Sequence, residues 1–425
     1  MIRHILKQIW NKRRANAWIF LELILVTFFM WGVIDPVYVL LSNRAIEPGY
    51  HIDNVFRLMI GQYPSSHRKF NEELNSDSIQ RAHFLHIYDL VRNYPGIEAA
   101  VVTDRQQYPL SESMSTTSLM HDSIESSALI MNFYHDGDFF KVFRISDVNT
   151  GIIPEHRNPS VRTIYLTEEL ERKLSQGKGL MEKDVFLSYR DTLYYTVKGI
   201  VPDFKFRSTE QPVQTQFIPL EKVNVGEFPW SSQICFRIRD GLSKELFAEQ
   251  FKQEMTFRLA VGNFYFLKLT DFETIHKQSE FKLGVTNKLR LQSSLAIFFL
   301  ICTFLGIAGT FWLRSDARRG EIGLRMALGS SRKNILMEFL IESWCLTTLA
   351  WLVGIFFVLQ RVHFTGFAEP PQFENDAYIQ NLFIPHFLIV SLIVYILMLF
   401  ITIIGTLIPA GQAASIYPSE ALKEE

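Results

Sequence analysis

Four apolar runs, Ala17–Leu41, Ser293–Leu313, Ser343–Leu359 and Phe387–Ile408, limit what this chain can fold into. Each approaches or reaches the roughly 20 residues that an α-helix needs to cross about 30 Å of hydrocarbon. Lipid offers no water to the backbone, so such runs must be helical. The spacing predicts membrane helices over residues 17–41, 293–313, 343–360 and 387–408. The remaining chain is long and mixed in character, and the formal net charge is −1. That balance fits neither a wholly embedded bundle nor an ordinary soluble enzyme.

Short flanks give the orientation. Residues 1–16 carry Arg3, Lys7, Lys12, Arg13 and Arg14 with no acid, and residues 314–333 carry six Lys/Arg against Asp316 and Glu321. Positive flanks stay in the cytoplasm. Both termini, the segment 314–342 and the tail 409–425 are therefore expected on the cytoplasmic side, with residues 42–292 and the loop 361–386 outside. Ile2, Ile5, Leu6, Ile9 and Trp10 form a helical stripe with Arg3, Lys7 and Lys12 off it, which predicts an interfacial helix over residues 1–16. The first apolar run is too long for a signal peptide and lacks a small-residue cleavage site, so it is expected to remain as an anchor.

The extracytoplasmic domain, residues 42–292, reads as α+β. Asn54–Ile60, Ile97–Thr103, Leu193–Val201, Ile234–Arg239 and Phe264–Leu269 are strand-like. Phe84, Ile87, Tyr88 and Val91 share one helical face, and Phe247, Phe251, Met255 and Leu259 share another. This order points to a split βαβ layer with an insertion between about residues 105 and 190. Cys235 is extracytoplasmic while Cys302 and Cys345 fall in spans, so no intramolecular disulfide framework is expected. Asp271–Gln292 is polar and helix-compatible, suited to a stalk.

Arg318–Leu328 reads as a short basic helix, with Glu321 and Arg325 in the favoured i,i+4 order and Arg318, Ile322 and Arg325 on one face. Gly329 suits the left-handed position that ends it, and Ser330 or Ser331 can cap the helix that follows. Glu22, Glu338 and Glu342 lie near the cytoplasmic ends of spans, where pairing with Arg314, Arg332 and Lys333 is expected. Asp35-Pro36 is read as the outer end of the first helix.

The run Arg318-Arg319-x-Glu321-Ile322-Gly323-Leu324-Arg325-x-Ala327-Leu328-Gly329-Ser330-Ser331, then Phe339-Leu340-Ile341-Glu342-Ser343, closely resembles the cytoplasmic signature of the FtsX/MacB-like permeases of ABC transporters. Gly320 departs from it, where the family usually carries a charge. Pro409-Ala410 and the stretch Ala413–Glu424 resemble that family's ending, and Tyr194–Ser208 resembles a recurrent stretch of its periplasmic core. The resemblance implies a porter-like periplasmic core with an inserted subdomain. It also implies a dimer, with a second copy or a sister permease, that recruits separate ABC ATPase subunits. ATP would be used by that partner, with no cofactor bound directly. Arg318, Arg319, Glu321, Ile322 and Arg325 are the candidate ATPase contacts and Gly329 the candidate bend.

Other chemistry is weakly supported. The chain has no Gly-x-x-x-x-Gly-Lys-Ser/Thr phosphate loop and no Gly-x-Ser-x-Gly elbow, so it is expected to be a non-catalytic subunit. His83 with His86, and His135 with Asp136 and Asp138, are weak metal candidates; neither a metal nor a nucleic-acid partner is expected. The reading is a permease coupling ATP hydrolysis to movements of its periplasmic domain (mechanotransmission), for efflux of a drug, peptide or lipoprotein-like substrate. A periplasmic adaptor and an outer-membrane channel are possible further partners. The rival readings are a regulatory permease that switches a cell-wall hydrolase or senses a peptide, and a membrane-anchored binding module without an ATPase. The topology has a direct check. Single cysteines near Asn71 and Glu374 should react with a membrane-impermeant reagent in cells whose outer membrane is permeabilised, and protection of either would refute the assigned sidedness.

Overall fold

The computed structural model describes residues 13–111, 114–155, 162–187, 194–226, 228, 231–317, 319–366 and 376–415. Most of the amphipathic segment 1–16 and the tail from residue 416 fall outside them. The chain divides into a helical unit, residues up to Ser42 and from Thr286 onward, and an α+β unit, Asn43–Val285.

The chain enters through α1 (Arg13–Ala45) and then forms β1 (Val55–Gln62), α2 (Asp77–Arg92) and β2 (Ile97–Asp104). There follow β3 (Thr116–His121), β4 (Ile124–Tyr134), α3 (Phe139–Val142), β5 (Thr163–Thr167), α4 (Glu168–Ser175), β6 (Asp184–Leu187), β7 (Tyr194–Val201) and β8 (Thr215–Leu220). The unit ends with β9 (Ser232–Ile238), α5 (Lys244–Arg258), β10 (Phe264–Asp271) and α6 (Phe272–Lys282).

β10, β1, β9 and β2 lie side by side in that order, each antiparallel to its neighbour. One face of this layer presents Phe56, Leu58, Ile60, Ile234, Phe236 and Ile238. Against them pack Phe84, Ile87, Tyr88 and Val91 of α2 and Phe247, Phe251 and Met255 of α5. The helical period of those apolar positions is what lets each helix cover the sheet with one stripe. On β9, Arg237 is buried and donates to the carbonyls of Val142 (2.7 Å), Asp53 (2.6 Å) and His51 (2.7 Å). Burial pushes its pKa down to about 10.

The other strands close on themselves. β4, β3, β6, β7, β5 and β8 follow in order, and β8 returns to pair in parallel with β4, Leu129 opposite Thr215. This ring has its own core, which includes Leu119, Leu166, Val185 and Val197 together with Leu170 and Leu174 of α4. It meets the layer where Thr103 of β2 faces Phe133 of β4. The inserted strands therefore run to Leu220 rather than ending near residue 190, and β7, expected beside the layer, pairs with β5 and β6. Phe139 and Phe140 of α3 are buried against Phe133 and Phe217, with ring centroids 4.9 to 5.7 Å apart.

In the helical unit, α7 (Val285–Ala317) is followed by α8 (Arg319–Ala327), α9 (Arg332–Thr365) and α10 (Asp376–Ser415). Four helices are long and apolar enough to cross a membrane among the described residues: Asn16–Ala45, Val285–Ala317, Arg332–Thr365 and Phe383–Gln412. They outrun the apolar windows because a helix stops at caps and breakers, not at the edge of hydrocarbon. The expected stalk is helical but interrupted, with Gly284 at φ 69° between α6 and α7. Asp35 does not end the first helix. α1 runs through Pro36, and Asp35 is fully buried, 2.8 Å from His386 Nε2 on α10. Proline is tolerated in membrane helices where neighbours satisfy the freed backbone.

Phe139→Ala should cost the α+β unit about 3–5 kcal/mol, the range for emptying a buried aromatic site. Denaturant unfolding of the isolated unit Asn43–Val285 measures it. A loss below about 1 kcal/mol would mean that the cluster is loosely packed.

Candidate functional site: the short helix between α7 and α9

α8 is nine residues long. Its stop is chemical. Gly329 takes φ 97°, its N–H donates to Met326 O (3.0 Å), and the Ser330 N–H donates to Arg325 O (3.0 Å). A side chain at residue 329 would meet no neighbour, so the need for glycine there is set by the backbone alone. Ser331 then caps α9, its hydroxyl accepting from Asn334 N at 3.3 Å. The chain reverses within four residues, from Leu328 to Ser331.

Two anchors hold α8 against α9. Ile322 is 5% exposed and belongs to the core cluster of the helical unit with Ile335, Phe339 and Ala410. Arg325 spans two carboxylates: one arm bonds Glu321, and Nη1 meets Glu338 Oε2 of α9 at 2.8 Å. Burial alone would lower the Arg325 pKa, but Glu338 and Glu321 raise it above its ordinary value. The apolar anchor dominates. Burying an isoleucine is worth about 1.5–3 kcal/mol, whereas pairs on a side chain 38% exposed are worth about 0–1 kcal/mol each.

These placements revise two expectations. Ile322 faces inward, so it positions α8 and does not offer itself to a partner. Glu338 pairs with Arg325, a link the sequence did not reveal because the partner lies across the turn rather than at equal depth along the span. Glu342 is buried nearby, and Glu22 lies against Gly306 of α7. A cleft is lined by Glu321, Ile322 and Arg325 of α8 and by Ile335, Glu338, Phe339 and Glu342 of α9. Arg318 and the side chain of Arg319 lie outside the described residues. Glu321, Gly320 and Leu324 are exposed. What remains among the described residues is a firmly seated short helix whose outer side shows Gly320, Glu321 and Leu324.

The metal candidates are not brought together. Among the described residues no three His, Cys, Asp or Glu side chains group closely enough to hold an ion. His83 packs on Gly262, and Asp136 bonds Arg92 at 3.2 Å. Asp35 with His386 is the polar pair that sequence reasoning passed over; an acid and a histidine within two spans were the available signal.

Residues 293–418, which include α8, match the FtsX-like permease C-terminal family. Over 264 residues the chain is 24% identical to the macrolide export ATP-binding/permease protein MacB of Neisseria gonorrhoeae, covering 61% of this chain and 40% of that protein. Over 200 residues it is 30% identical to the macrolide export ATP-binding/permease protein MacB 2 of Aeromonas hydrophila, covering 46% of this chain and 28% of that protein. The matches thus span less than half the length of these relatives. The periplasmic region of MacB from Actinobacillus actinomycetemcomitans overlays 55% of this chain and 94% of its own, at 13% identity and a TM-score of 0.35, too loose a fit to bear weight. The C-terminal segment 293–418, with α8 and the helices around it, is thus similar to FtsX-like permeases, and the MacB matches support an FtsX/MacB-like permease of an ABC transporter.

Proposed function

We propose that this chain is the non-catalytic permease subunit of an ATP-driven export system, and that a separate ABC ATPase docks on the outer side of α8 through Arg318, Arg319, Glu321 and Arg325. Closure of the ATPase on ATP would displace α8 and, through α7 and α9, the α+β unit. The observation that carries this reading is the seating of α8. A helix locked by Ile322 and Arg325 passes on a push, whereas a loose loop would absorb it. In this arrangement both termini and α8 are cytoplasmic and the α+β unit is periplasmic. Its layer β10-β1-β9-β2 is read as a porter-like split βαβ core, a reading its strand order supports. The permease works as a dimer with an adaptor and an outer-membrane channel, and the MacB relatives favour efflux over regulation.

Polar groups in the spans support a transmitting rather than a conducting role. Thr347 bonds Thr402 (3.1 Å), Trp31 Nε1 donates to Ser391 Oγ (3.2 Å), and Thr348 bonds Tyr395 (2.9 Å). Thr27, Thr303 and Thr406 bond carbonyls one turn back in their own helices. Groups spent on helix–helix contact do not line a passage.

Charge reversal at Arg318 and Arg325 together should abolish ATPase association. Because Arg325 also braces α9, the control is R325E with E338R, which rebuilds the internal pair with opposite polarity. That pair should recover the thermal stability lost in R325E alone without recovering ATPase binding, as read by co-purification. Single neutralisations of the arginines should weaken binding less than about tenfold, in line with about 0–1 kcal/mol per exposed pair. If the Arg318–Arg325 double reversal still binds the ATPase fully, the docking assignment is wrong. Gly329→Val should leave the ATPase bound but uncouple it, since a β-branched residue at that φ costs of order 1–3 kcal/mol; full export activity in that variant would count against a role for the bend.

A further inference from the structure

The α+β unit begins at the last turn of α1 and ends through α6; a buried lysine holds the first segment, a carboxylate of the second reaches it through Arg44, and both bond Ser208. Lys205, 2% exposed, donates from Nζ to the carbonyl oxygens of Asn43 (2.6 Å), Ser208 (2.9 Å) and Ile46 (3.2 Å). Its own backbone N–H bonds Pro48 O at 3.0 Å, and Asn43 Nδ2 returns a bond to Thr209 O at 3.0 Å. Next to it, Glu280 of α6 accepts from Arg44 Nη2 (2.7 Å) and from Ser208 Oγ (3.0 Å), with His276 Nε2 3.4 Å away. Ser208 is thus bonded to both halves.

Burying an ammonium with no carboxylate beside it is expensive. Desolvation pushes the Lys205 pKa down to about 8, and an apolar residue of the same length would avoid that penalty. What the lysine supplies instead is three donors, two of them aimed at the carbonyls of Asn43 and Ile46 at the end of α1, where a cation satisfies groups that the helix cannot, and the third at that of Ser208. Glu280 is held below its ordinary pKa by the bonds from Arg44 and Ser208 despite its burial.

We propose that Lys205, through Asn43, Ile46 and Ser208, and Glu280, through Arg44 and Ser208, form a joint that fastens the point where the chain enters the α+β unit to the point where it leaves. The two segments then move together. This rests on the reading that the unit is displaced by a distant ATPase, for it says which residues carry the displacement into the fold. Lys205 is a positioning residue in that step.

Hydrogen exchange of the full chain in detergent tests the joint without any ATPase. In Lys205→Met, amides of Val39–Ile46 and of α6 should exchange at least tenfold faster, while β1, β9 and α2 keep their protection. Glu280→Gln should produce the α6 effect alone. Unchanged protection in both variants overturns the joint, and uniform loss across the unit shows Lys205 to be ordinary core. If Lys205→Met does not fold, Glu280→Gln and a short bismaleimide bridge between Arg44→Cys and Glu280→Cys decide, since the bridge should restore protection to both segments and failure to do so overturns the proposal. Between pH 8 and 10.5 the unfolded chain holds a proton that folded Lys205 has released, so wild-type stability should rise with pH across that window. Lys205→Met should lack that slope. Repeating the exchange with the partner ATPase and ATP separates the two claims: if ATP leaves exchange in the wild-type α+β unit unaltered, mechanotransmission fails although the joint stands.

Discussion

A nine-residue helix does not hold its shape in water on propensity alone. α8 persists because Ile322 is pressed into the core of the helical unit and because Arg325 bridges to α9, and everything assigned to this surface depends on that seating. The apolar contact supplies most of the energy, and the ion pairs fix the rotation of α8 about its axis. A permease needs that division, because binding energy from a partner is useful only if it meets a surface already in position.

Much of this arrangement was legible in the sequence, and the legible parts share a cause. The four spans, the stripes on α2 and α5 and the break at Gly329 are written by neighbours within one or two helical turns. What escaped depends on residues far apart. No local pattern announces that β8 returns to β4, or that β7 joins that ring, because parallel partners carry no turn between them. The Arg325–Glu338 pair crosses a turn whose geometry exists only once Gly329 has adopted its left-handed backbone. Asp35 looked like a helix end because proline follows it; its burial against His386 needed the fourth span in place.

The helical unit uses polarity sparingly. Thr27, Thr303, Thr347, Thr402 and Thr406 and the indoles of Trp31 and Trp351 are engaged by other helices or by the preceding turn, while Phe298, Ile301, Leu305, Leu352 and Phe356 are among the large apolar residues left facing outward. That distribution suits lipid outside and stiff contact inside.

The strand pairing also bears on how the protein is made. β1 has no partners until β9 and β10 arrive, and β4 keeps one side open until β8 does. Neither the layer nor the ring can be completed until most of the α+β unit has been synthesised. Contacts so distant along the chain form slowly, so unpaired strand edges exist for a period during synthesis. Through that period α1, a helix long and apolar enough to span a membrane and translated ahead of the strands, would tether the nascent unit and keep it from diffusing into contact with other incomplete chains.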